Sequence, residues 1–147
     1  MQSIFNPEAH QEILNRIEIL NEKSSALWGK MDVAQMAYHC QAPLNIMMQK
    51  KDYSLKPNWF IKAFFKKSLY NDKPWRKNLP TAPRLKVVDR KVFNTEKEAL
   101  VKLINELHEC KDKTNWQPHP TFGKFTPQQW GQMQYKHLDH HLKQFGA

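Results

Sequence analysis

The segment TPQQWGQMQYKHLDHHLKQF, Thr126 to Phe145, constrains this chain most, because its start, its stop and its buried face are all written in residue types. Thr126 suits a helix cap, Pro127 suits the first helical position, and Gln129 completes a capping box with Thr126. Gly146 follows the last apolar residue, where a left-handed cap usually sits. At about 100° per residue, Trp130, Met133, Leu138, Leu142 and Phe145 define one buried face. His137 and His141 fall inside that face one turn apart, with His140 towards its edge. Two imidazoles at i and i+4 on a core-facing stripe can chelate one divalent cation.

The rest of the chain carries the same period. Asn6 and Pro7 start a first helix whose inward stripe is Ile13, Ile17 and Leu20. Asp32 with Gln35 starts a second, continuing to about Lys50, with Val33, Met36, Ala37, Cys40, Leu44, Met47 and Met48 inward. Thr95 with Glu98 forms another capping box, opening a helix to about Cys110 on Ala99, Leu100, Leu103, Ile104 and Leu107. Glycine is scarce, four in 147 residues, and periodic runs dominate over alternating ones. The expectation is an all-α fold in one domain, residues 1–147, long enough to bury a core.

Between the second helix and the Thr95 helix the pattern changes. Pro57 opens a further helical segment, Asn58 to about Tyr70, rich in Trp59, Phe60, Ile61, Phe64 and Phe65, with Lys62, Lys66 and Lys67 on its other side. Asn71 to Asn94 contains Pro74, Pro80 and Pro83 and reads as an extended crossover, with Leu85, Val87 and Val88 as a short strand-like piece.

Charge is concentrated here. From Lys50 to Lys91 thirteen basic residues face three acidic ones, while the whole chain carries +9. Such a region can steer anions. Aromatics among lysines can stack nucleic-acid bases, but no recognised nucleic-acid motif accompanies them. We favour an amphipathic helix covering the core or forming a dimer face.

The N-terminus shows no signal-peptide pattern, no stretch is long enough to span a membrane, and two cysteines make no disulfide framework. A cytoplasmic protein is expected, with no membrane partner and with nucleic acid disfavoured as one.

Other residues take plainer readings. Spacing alone reads His39, on a second apolar flank of its helix, as a satisfied histidine rather than a ligand, and Cys40 as a small hydrophobe. Trp28 reads as a packing lid, His108 as a solvated residue favouring its helix C-terminus, and Asp139 as solvent-facing. His119, between Pro118 and Pro120, can be placed over a pocket, although a surface position is the default.

Three stretches, WGKMDVAQMAYHC, HPTFGKF and WGQMQYKHLDHHLKQFG, resemble the DinB-like (DinB/YfiT) metalloenzyme superfamily, within it a subgroup of unknown function. The resemblance covers nearly the whole chain and is most specific in its last thirty residues or so. It implies a four-helix bundle, here with a long crossover and an extra short helix between helices 2 and 3. It also implies a metal held by three histidines, one on the second helix, matching His39, and two on the last, matching His137 and His141. His140 and His119 are then candidates to support the site or line its pocket. The superfamily includes transferases and isomerases that use low-molecular-weight thiols, and homodimers are common in it. Zinc is the expected metal, with nickel, iron or manganese compatible with imidazole ligands. The competing readings are a basic nucleic-acid-binding helical protein and a metal-binding bundle without catalytic turnover.

Overall fold

A computed structural model describes residues 2–147; Met1 lies outside the described residues. The described residues form five α-helices: α1 Pro7–Glu18, α2 Val33–Met48, α3 Trp59–Phe65, α4 Phe93–Glu109 and α5 Pro127–Gln144. Two short 3₁₀ turns, Lys66–Leu69 and Pro83–Leu85, lie between α3 and α4. No strand occurs among the described residues, only an isolated bridge between His119 and Gly123. The strand-like piece expected at Leu85 to Val88 is therefore corrected. Leu85 ends a 3₁₀ turn that begins at Pro83, and Val88 is 86% exposed. Alternating Leu and Val have strand propensity, but here no neighbouring backbone is aligned to complete a ladder.

Helix ends follow local chemistry until burial outweighs it. Both capping boxes at Asp32–Gln35 and Thr126–Gln129 form, and Gly146 adopts φ +74°. Asn6 occupies the cap position of α1, but its side chain makes no capping hydrogen bond. The expected start of α4 at Thr95 is also corrected: the helix begins at Phe93, after Val92. The Phe93 side chain is buried, a gain of about 1.5–3 kcal/mol. A threonine cap contributes about 1 kcal/mol, so the helix extends to bury the ring.

Helix α2 packs against α4 and α5, and α1 against the same two helices. Ile13, Ile17, Met36, Leu44, Met47, Ile104, Leu107, Trp130, Leu138 and Leu142 interdigitate between them, each at most 2% exposed. Asp139, expected in solvent, instead meets Arg16 at 2.9 Å and Lys143 at 2.8 Å, tying α5 to α1. His108 is likewise not solvated: it lies 3.0 Å from the Ile4 carbonyl and stacks on His10 at 4.0 Å. Burial and the nearby His108 lower the pKa of His10.

The N-terminal segment closes over α5 at Gly131. The Ile4 N–H donates to the Gly131 carbonyl at 3.1 Å, and Ile4 is fully buried. A Cβ at Gly131 would sit 2.2 Å from Ser3 Oγ and 2.6 Å from Phe5 Cδ2. Gly131→Ala should therefore destabilise the fold by about 1–2 kcal/mol in urea unfolding. Displacing the segment outweighs a helix-propensity gain of about 1 kcal/mol.

Helix α3 does not cover the core. None of its residues is buried, and Trp59 and Phe64 are 70% and 74% exposed. Of the two places expected for its aromatics, a cover over the core or a dimer face, the first is overturned within this chain.

Candidate metal centre

Three imidazoles from two helices converge where α2 faces α5. His39 comes from the middle of α2, one turn before Pro43; His137 and His141 come from adjacent turns of α5. One nitrogen from each ring lies within 4.8 Å of the other two. His39 Nε2 and His137 Nε2 are 3.2 Å apart. The His137 and His141 ring centroids are 4.7 Å apart, and those of His39 and His141 are 4.8 Å apart. The α-helical i, i+4 spacing produces the first pair, and the α2–α5 packing adds the third ring.

The outer nitrogens settle which edge of two rings faces the centre. His39 Nδ1 lies 3.2 Å from the Leu85 carbonyl, and His141 Nδ1 lies 2.8 Å from Gln144 Oε1. Each can only donate to such an oxygen, so each Nε2 keeps its lone pair. His137 Nδ1 is buried with no hydrogen-bond partner. Burial lowers the pKa of all three rings from the ordinary histidine value. For His137 the shift is large, with the neighbouring His141 and His39 adding to it, and His141 falls to about 3. At neutral pH the cluster is three uncharged bases crowded together. That donor set fits a divalent cation, which prefers neutral imidazole nitrogen and would satisfy facing lone pairs.

A relay of hydrogen bonds fixes His141. Gln144 accepts from its Nδ1 and, through Nε2, donates to the Trp28 carbonyl at 2.7 Å. Gly29 follows with φ +83°, and a Cβ there would lie 2.5 Å from Gln144 Nε2. Glycine thus lets the chain after Trp28 press against the glutamine. Gln144→Leu should weaken metal affinity about 10–100-fold, the usual effect of losing an orienting partner, as read by competition with a chromophoric chelator.

The crossover walls the other side. Trp75 lies edge-on to His137 at 6.0 Å and to His140 at 5.5 Å, while Trp28 meets His140 at 5.9 Å. Trp75 Nε1 donates to the Ser68 carbonyl at 2.8 Å. Buried Lys136 donates to the carbonyls of Ser68 and Asn71 and to Asn71 Oδ1, at 2.7–2.8 Å. Burial lowers its pKa, with Asp72 opposing. The three bonds hold the turn that carries Trp75.

His140 borders the cluster, its ring 5.1 Å from that of His141, but is not one of the three converging residues. His119 lies elsewhere and is not on the surface: it is 7% exposed among Phe122, Phe125 and Trp130. Its Nδ1 accepts from the Thr121 and Phe122 N–H groups at 3.0 and 3.3 Å, so its proton sits on Nε2. The prolines on either side do fix the ring, but as the organiser of a turn. Burial, then Lys66, lowers its pKa to about 4.

A lowered histidine pKa means that the unfolded chain binds the proton first. The contribution of His119 is complete above pH 6.5 and is lost as pH falls from there to about 4. His119→Asn, whose Oδ1 can accept the same N–H groups, should flatten the loss of unfolding free energy between these pH values. Other buried histidines keep the slope above zero.

Sequence reasoning missed the Leu85 carbonyl, Trp75 and Gln144. Only Gln144 left a signal, three residues beyond His141 on the same helix face.

The fold and the cluster define an all-helical protein with a three-histidine group between helices. Residues 4–147 match the model of a family described as "Protein of unknown function (DUF1569)", and the chain belongs to that family. No curated protein and no solved structure matches it.

Proposed function

We propose that His39, His137 and His141 hold one divalent cation, zinc foremost, and that the chain is a metal-dependent enzyme acting on a small molecule. On this reading α1, α2, α4 and α5 are a DinB-like four-helix bundle forming one domain, with α3 an addition in the crossover. The observation that carries it is three neutral imidazoles converging between α2 and α5, two of them oriented by Nδ1 hydrogen bonds so that each Nε2 keeps its lone pair.

Held by these three neutral ligands, a cation would supply Lewis acidity, lowering the pKa of a water or thiol brought to it. The protein's own part is positional. The Leu85 carbonyl and Gln144 set two ring orientations, while Trp75 and Trp28 limit water around them. Lys77 lies over the Trp28 ring at 4.6 Å, a cation placed to attract the carboxylate of a low-molecular-weight thiol. No carboxylate belongs to the three-residue cluster, so we assign no side-chain general base.

The test is thiol consumption with an electrophilic acceptor, using protein purified without chelator or nickel resin. Glutathione and bacillithiol are the thiols to try. Turnover should vanish on chelation and return with zinc. One bound metal with no turnover for any thiol would leave a metal-binding bundle without enzyme activity.

A further inference from the structure

Helix α3 is built inside out. At about 100° per residue, Trp59, Ala63, Phe60, Phe64, Ile61 and Phe65 sweep roughly 240° of its circumference, and Lys62 and Lys66 share the stripe that remains. In an ordinary surface helix the apolar arc faces the core. Here the lysines do. Lys66 Nζ donates to the Lys124 carbonyl and lies over the Phe125 ring at 4.7 Å. Lys62 Nζ would be 3.4 Å from a Cβ at Gly123. The aromatic arc faces outward, with Phe60 67% and Phe65 56% exposed and Trp59 edge-on to Phe60.

A contiguous aromatic surface of this kind marks an interaction site, and charge selects the partner. No acidic residue occurs between Asp52 and Asp72, while Lys56, Lys62, Lys66 and Lys67 do. Two copies of a +9 chain meeting through this patch would bring like charges together. A nucleic-acid strand stacks its bases on aromatic platforms set along a cationic groove, whereas these rings wrap round a helix with Ile61 among them. An anionic bilayer suits both features, since the rings enter the headgroup boundary while exposed Lys56 and Lys67, outside the Lys62 and Lys66 stripe, are attracted by its negative potential. No helix among the described residues is long and apolar enough to cross a membrane, so the contact is one of lying on the surface.

We propose that α3 docks this protein on anionic phospholipid surfaces. The experiment is co-sedimentation of the full chain with phosphatidylcholine vesicles, with and without phosphatidylglycerol, at low and high salt. The wild type should partition about tenfold or more in favour of the anionic vesicles, and salt should reduce this. The double variant Phe60→Ser, Phe64→Ser should lose that partitioning while keeping its unfolding midpoint, because both rings are exposed. Absence of wild-type binding, or equal binding by the variant, overturns the proposal. So does a wild-type dimer that the variant dissociates with no binding to vesicles, which would assign the patch to a second copy.

Discussion

In His137→Ala, added zinc is expected to leave the unfolding midpoint unchanged, whereas the wild type should be strongly stabilised. At a hundred times its dissociation constant, a ligand specific for the folded state contributes about 2.7 kcal/mol, roughly 5–11 °C for a chain of this size. His137 is the ring to remove because its Nε2 already lies 3.2 Å from that of His39 and its Nδ1 has no partner. Losing a direct ligand should reduce affinity by more than the roughly 10–100-fold that outer partners cost. Without metal, the variant opens a cavity but also removes a buried polar atom without a hydrogen bond, so the two effects on stability oppose each other. The contrast between a small metal-free effect and a large metal-dependent one separates a binding site from a merely crowded core. Calorimetry of both proteins with and without zinc reads it.

The second large effect is on stability alone. Trp130 is 1% exposed and packs against Phe125 at 5.0 Å and His119 at 5.7 Å. Trp130→Ala should cost about 3–5 kcal/mol, the range for emptying a large aromatic site, and lower the midpoint by about 6–20 °C. Its Nε1 is buried without a hydrogen-bond partner, so Trp130→Phe removes an unsatisfied donor as it removes volume. That variant should cost far less than the alanine one. Equal losses in chemical denaturation would mean that the indole N–H has a partner in solution.

The last helix was legible because cap, stop and stripe agree in TPQQWGQMQYKHLDHHLKQFG, and His137 and His141 came with it. Phe93 shows where local signals fail: the Thr95–Glu98 box is a sound start for an isolated helix, but a buried phenyl two residues earlier outweighs it. His39 was not legible from spacing, because whether an apolar-flank histidine meets another helix depends on packing that period alone does not contain. The resemblance to DinB-like proteins pointed to it, and the structure brings its ring beside the other two. Leu85 contributes through its backbone, and Trp75 sits in a proline-rich stretch without period, so neither could be placed from residue types. α3 misled because its amphipathic pattern is genuine while its orientation is reversed.

The most direct measurement is elemental analysis with X-ray absorption on protein made without chelator or nickel resin. The expected result is about one equivalent of divalent metal with imidazole nitrogens in its shell, as a three-histidine site requires, and its loss when His39, His137 and His141 are replaced together. A wild-type protein free of zinc, nickel, iron and manganese that also fails to take up any of them would contradict it. Full metal content in the triple variant would contradict it equally.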